Sequence, residues 1–177
     1  LIMSESVVRY LDTHLIDESG EMHTGDIVLL SNGGWRLGTI QDNEIETLDG
    51  KNKIITRSLQ NWHTHAGMTL NARDFSDGFP LKKWLQEAIF PTESKLDKEL
   101  VEIGTKAATA EMIRTGTTFA ADLYFYPKVT SKVFHESGIR ALIASPISEQ
   151  PNPSYPEGEQ QALQQTEQLL KETPLDR

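Results

Sequence analysis

The chain has 177 residues and no cysteine. Disulfides and thiolate-bound metals are therefore excluded, and histidine and carboxylate are left as the available metal ligands. Long apolar runs are also missing. No stretch approaches the roughly 20 residues of a membrane-spanning helix, and no charged-then-apolar leader opens the sequence. Positive charge is in short supply, with 17 Lys and Arg against 26 Asp and Glu, and the basic residues are scattered and form no stripe. A net charge of −9 in that distribution argues against a nucleic-acid surface. These absences lead us to expect a soluble, cytoplasmic protein with a small-molecule partner, no nucleic-acid or membrane partner, and self-association left open. The hydrophobic content, 37%, is enough for one core, or for one small and one partial domain.

Residues 7 to 56 have a β pattern. Val7-Val8, Ile27 to Leu30, Leu37 to Ile40 and Ile54-Ile55 are short apolar segments. Turn clusters separate them: Asp17 to Gly20, Ser31 to Gly34, and Leu48-Asp49-Gly50. Asn32-Gly33 favours a tight hairpin, because both residue types tolerate positive φ.

Beyond His65 the pattern alternates between helix and strand. Leu100, Ile103, Ala107, Ala110 and Ile113 recur at helical spacing, and Gly116 supplies a stop. Thr117 to Phe125 is β-branched and aromatic, as a buried strand should be. Val129 to Ser137 fits a helix closed by Gly138, and Ile139 to Ala144 fits the next parallel strand. After a proline-marked loop, Glu157 to Lys171 is expected to be helical, with Ala162, Leu163, Leu169 and Leu170 as its buried stripe.

His63-Thr64-His65 is the most informative tripeptide. Two imidazoles one residue apart on an extended segment point to the same side and can reach a single ion. The setting is Asn61-Trp62-His63-Thr64-His65-Ala66-Gly67-Met68-Thr69. It is followed by Trp84-Leu85, by Pro91-Thr92-Glu93, by Ala110 to Thr118 (Ala-Glu-Met-Ile-Arg-Thr-Gly-Thr-Thr), by Phe119 to Phe125 (Phe-Ala-x-Asp-x-Tyr-Phe), and by Gly138 to Ala141. In order and spacing these segments resemble the amidohydrolase superfamily, in its branch of metal-dependent deaminases and chlorohydrolases.

That resemblance implies an α/β fold: a partial (β/α)8 TIM barrel, about its first three strand–helix units, preceded by part of a small β-sandwich domain. The implied boundaries are 1–56 for the sandwich portion and 57–177 for the first part of the barrel. A whole barrel takes about 250 residues, so the chain is expected to be the N-terminal piece of a longer enzyme and inactive alone. Exposed edges are expected on the sandwich portion.

The implied site has one divalent metal, zinc first and iron second, held by His63, His65 and two later ligands. The implied reaction is hydrolytic deamination or dechlorination of a purine-like or other nitrogen heterocycle by a metal-activated water. The catalytic acid–base groups are expected beyond Arg177. Trp84 is a candidate for stacking on a flat heterocycle. Glu93 is a candidate acceptor for ribose hydroxyls, on a segment where Pro91 is expected to end the preceding helix. Asn71, Arg73 and Asp74 belong to a loop that overhangs the pocket in the family. Asp122, between apolar neighbours, is expected to be structural, because a buried carboxylate needs partners.

Two departures qualify the resemblance. Arg57-Ser58-Leu59-Gln60 is unusually polar for the start of a barrel strand. Ser145-Pro146 stands near where the adenosylhomocysteine and methylthioadenosine deaminases carry an arginine, which weakens any claim to a substrate with a carboxylate tail. The alternatives are a cyclic-amide or imidazolone amidohydrolase, which a carboxylated lysine further along would favour, and a non-catalytic metal-binding or degenerate relative.

Overall fold

The computed structural model describes residues 6–38, 45–70, 78–149 and 151–172. The chain divides into two compact units, 1–57 and 58–177. No helix among the described residues is long and apolar enough to cross a membrane.

The first unit is a five-stranded sheet built on β1 (Ser6–Ile16) and β2 (Met22–Leu30), which pair antiparallel. β3 (Trp35–Leu37) continues the sheet beside β2, while β4 (Glu46–Asp49) and β5 (Ile54–Ile55) pair parallel with β1. Its buried side chains are Thr13, Leu15, Ile27 and Val28. Between β2 and β3 only Gly33 takes a positive φ, 81°. Asn32 instead uses its side chain, Oδ1 accepting from the Gly34 amide at 2.9 Å. Leu48 and Asp49, expected in a turn, are strand residues, and the reversal falls at Gly50 to Asn52. Gly50 is required there, since a Cβ would lie 2.5 Å from Thr13 Cβ and 2.6 Å from Leu11 O. The expected apolar segment from Leu37 ends at Thr39-Ile40, which lie outside the described residues.

The β1–β2 turn is organised by one carboxylate. Asp17 accepts from the Ser19 amide and hydroxyl and from the Glu21 amide, and its second oxygen takes His23 Nε2 at 2.8 Å. The His23 ring lies against Trp35, with centroids 4.6 Å apart.

The second unit is a parallel sheet in the order β6 (Leu59–Thr64), β7 (Thr117–Leu123), β8 (Arg140–Ala144). Between β6 and β7 run a 3-10 turn (Ala66–Met68), a helical stretch made of α1 (Leu81–Trp84), a π-turn (Leu85–Ile89) and α2 (Phe90–Glu93), and then α3 (Lys98–Arg114). α4 (Pro127–Ser137) joins β7 to β8, and α5 (Glu159–Glu172) follows β8. The unit is thus three consecutive strand–helix repeats. Asp97 caps α3, accepting from the Leu100 amide at 2.8 Å, which satisfies one of the free donors of the first turn. Gly138, at φ 77°, closes α4.

One face of the sheet is packed: Ala120, Ala141 and Ile143 meet Ala108 and Met112 of α3 and Phe134 of α4. Burial of Phe134 contributes about 1.5–3 kcal/mol. Leu123 and Leu142, on the other face, are exposed.

The apolar stripe expected to be buried on α3 is exposed at Leu100, Ile103 and Ile113. The buried positions are Val101, Gly104, Thr105, Ala108, Thr109 and Met112. Small side chains won the inner face because α3 presses on the 3-10 turn: a Cβ at Gly104 would stand 2.4 Å from Gly67 O. α5 likewise buries only Ala162 of its expected stripe, and Leu163 and Leu170 are exposed.

Two measurements follow from these contacts. Gly104→Ala sets a methyl against an immovable backbone oxygen and is expected to cost roughly 1–3 kcal/mol in a urea titration; a change under about 0.5 kcal/mol would show that the turn and helix are not in close contact. His23 first, then Ser19, hold the Asp17 carboxyl well below the usual carboxylate range. The folded state therefore binds this proton more weakly than the unfolded chain. The stabilisation is complete above about pH 4 and is lost as pH falls below it. Asp17→Asn should flatten the acid limb of unfolding followed by circular dichroism between pH 2 and 5, and an unaltered limb would contradict the assignment.

Candidate metal and substrate site

β6 ends by bringing His63 and His65 together. Their Nε2 atoms are 3.3 Å apart and the rings meet edge to face at 86°. Two ligands of a tetrahedral zinc, each about 2.0–2.1 Å from the ion, stand about 3.3–3.4 Å from one another, so the spacing fits a shared ion. His65 Nδ1 lies 2.5 Å from the Leu123 carbonyl oxygen. A carbonyl only accepts, so Nδ1 carries the proton and Nε2 presents its lone pair toward His63. No third ligand joins this pair among the described residues. The three-residue group of ligand type there is Asp17, Glu21 and His23, where Asp17 is already engaged in the turn.

The segment after His65 is held from two sides. The Ala66 amide donates to Asp122 Oδ1 at 2.6 Å. Asp122 is 2% exposed and its Oδ2 has no partner, and burial pushes its carboxyl up to about 6. Asp122 therefore acts on the backbone beside the histidine pair, the structural role expected of it. On the other side, Gly67 admits the ring of Tyr124, since a Cβ there would meet Tyr124 Cδ1 at 2.5 Å.

A cavity of about 230 Å³ opens next to His65. Met68, Leu85, Ile89, Leu123, Phe125 and Pro146 supply apolar walls, and Trp84, Glu93 and Tyr124 complete the lining. Trp84 and Glu93, picked from sequence, thus share one cavity with His65. His63 is exposed and does not line it. Burial raises the Glu93 carboxyl above its ordinary value, and the Tyr124 hydroxyl, which donates to it, and the charge of His65 work against that rise.

Pro91 does not end the helix as expected. The helix continues through it to Glu93 by widening first, and the Phe90 amide reaches back five residues to Leu85 O. The physical cause is the proline ring, which has no N–H and crowds the carbonyl four residues earlier. A π-turn takes up one extra residue. In a regular α-helix Trp84 and Glu93, nine positions apart, would face about 180° from each other. With one residue absorbed they differ by roughly 80°, enough to address a single cavity.

Sequence reasoning overlooked Tyr124 and the Leu123 carbonyl. A signal for the first existed in Gly67, a residue without a side chain placed two positions after the histidine pair. Asn71, Arg73 and Asp74 lie outside the described residues.

The amidohydrolase family profile matches residues 54–174. A 5'-deoxyadenosine deaminase of Methanocaldococcus jannaschii is 43% identical over 122 residues, which is 67% of this chain and 29% of that protein. The chain thus spans less than a third of that relative's length. Among solved structures, an adenosine deaminase from Xanthomonas campestris with bound zinc superposes with a TM-score of 0.76 at 23% identity, covering 96% of this chain and 40% of that one. A triazine hydrolase from Arthrobacter aurescens gives 0.78 at 16% identity, covering 98% and 44%. The parallel strands and helices of the second unit are the beginning of a (β/α)8 barrel, and the chain belongs to the amidohydrolase family.

Proposed function

We propose that this chain forms part of a metal-dependent deaminase acting on an adenine nucleoside. The observation that carries the proposal is the cavity in which His65, Trp84 and Glu93 meet, beside imidazole nitrogens spaced for one ion. His63 and His65 would hold one divalent metal, zinc before iron, together with ligands supplied from elsewhere. Such an ion, when bound, supplies the acidity that brings a water's pKa toward about 7, for hydrolysis of a ring C–N bond at neutral pH. The rest is done by the protein's own side chains. Leu123 O fixes the His65 tautomer, Trp84 offers a flat face to the base, and Glu93 accepts from sugar hydroxyls. The apolar walls exclude water, which strengthens each polar contact inside.

Pro146 lines the cavity and no arginine does, which favours a nucleoside without a carboxylate tail. The 43% identity to a 5'-deoxyadenosine deaminase supports the same substrate class. In this assignment residues 1–56 are part of a small β-sandwich and 57–177 the first part of the catalytic barrel.

Catalytic zinc sites generally have three protein ligands, and two histidines alone hold metal weakly. The isolated 177-residue chain is therefore expected to show no deaminase turnover, and turnover by that chain free of longer enzyme would contradict the ligand assignment. In the full-length protein, Glu93→Ala should raise the KM for 5'-deoxyadenosine about tenfold or more relative to the inhibition constant of adenine. The charge-assisted hydrogen bonds removed are each worth about 1.5–3 kcal/mol. Equal effects on nucleoside and base would make Glu93 structural and favour a free-base or triazine-type hydrolase.

A further inference from the structure

We propose that Tyr124 is a positioning residue for Glu93: its buried hydroxyl donates to the carboxylate and holds it toward the cavity, where sugar hydroxyls are to dock. The inference rests on the assignment of Glu93 as the acceptor of those hydroxyls and adds the group that aims it.

Tyr124 is the residue after Leu123, whose carbonyl orders His65. Its ring is only 6% exposed. Leu96 and Val101 pack on it, and Gly67 leaves no side chain in its way. A ring confined on all these sides has one accessible rotamer, so its hydroxyl is a fixed point. Glu93 is the opposite case. It is half-buried on the last turn of α2, with three side-chain torsions and substantial rotamer freedom to lose on binding. The two groups share the cavity wall, and the phenol donates to the carboxylate. The direction of donation is secure, because burial and the neighbouring Glu93 charge drive the phenol's ionisation above its ordinary range and keep the proton on oxygen.

A carboxylate has two oxygens and about four lone-pair sites. One contact from Tyr124 fixes the group and leaves lone pairs for two adjacent hydroxyls of a ribose-like sugar. The ligand class that benefits is a nucleoside with a vicinal diol. A free base draws nothing from Glu93 and should be indifferent to how Glu93 is aimed. Tyr124 also connects the two halves of the site: its ring centroid lies 6.3 Å from that of His65.

The test uses the full-length enzyme and the ratio of the 5'-deoxyadenosine KM to the adenine inhibition constant. Tyr124→Phe is expected to raise that ratio roughly tenfold, the scale of one charge-assisted hydrogen bond. In a Glu93→Ala background the same substitution should have no further effect on it. Tyr124→4-aminophenylalanine, which keeps an N–H donor at the same point, should stay within about twofold of the unmodified enzyme. If Tyr124→Phe does not fold, this variant decides alone, and a ratio as high as that of Glu93→Ala would overturn the proposal. An unchanged ratio in a folded Tyr124→Phe enzyme, alongside a raised ratio in Glu93→Ala, would overturn the role of Tyr124 and leave that of Glu93 standing. A further rise in the double variant would mean that Tyr124 meets the substrate directly. No change in Glu93→Ala itself would remove the assignment on which the inference rests.

Discussion

The backbone of the turn after His65 lies directly on the backbone of α3, with no side chain between them. Gly67 and Gly104 make this contact, and neither tolerates a Cβ without a collision. The rest of the second unit is arranged around it. Because the turn is pressed onto the helix, the Ala66 amide faces inward and needs an acceptor, which Asp122 supplies from the neighbouring strand. Because Gly67 is bare, the ring after Leu123 can sit over it, and that ring sets the depth of the cavity. A close backbone approach thereby ties together the C-terminal ends of β6 and β7, where the histidine pair and the cavity are found.

The polar groups at these strand ends carry a common cost. Asp122, Tyr124 and Glu93 are all withdrawn from water enough for burial to favour their neutral forms. Each is offset by a specific contact: an amide for Asp122, the carboxylate for Tyr124, the phenol for Glu93. Buried polar groups are costly unless paired, so this chain of contacts keeps the site in one arrangement before any ligand arrives. The β1–β2 turn is a useful contrast. Asp17 gathers four hydrogen bonds near the surface, and its carboxyl moves the other way.

Much of the second unit was legible because its signals are local. The spacing of His63 and His65, the glycines closing α3 and α4, and the β-branched run from Thr117 need only a few neighbouring residues to be interpreted. The order of the surrounding segments then identified the family. The misses were decided by partners distant in sequence. Leu100, Ile103 and Ile113 form a good helical stripe, yet α3 turned its smaller residues inward because Gly67 lies against Gly104. Leu163 and Leu170 similarly stay exposed while Ala162 is buried. Leu48 and Asp49 resemble a turn, but β1 offered them a parallel partner. Tyr124 stood in a recognised strand motif with no visible role, because what gives it one is a glycine some sixty positions earlier and a glutamate on another element.

The widened turn before Pro91 changes what kind of sequence variation can retune the cavity. Trp84 and Glu93 face it together through the length of the peptide between them as much as through their own chemistry. Exchanging side chains along Leu85 to Ile89 would recolour the wall while leaving that relation intact. Removing a single residue from this stretch would turn one of the two away from the other without touching either. A lineage of such proteins could therefore separate recognition of the base from recognition of the sugar by one codon's loss, a step that an inventory of site residues would record as no change at all.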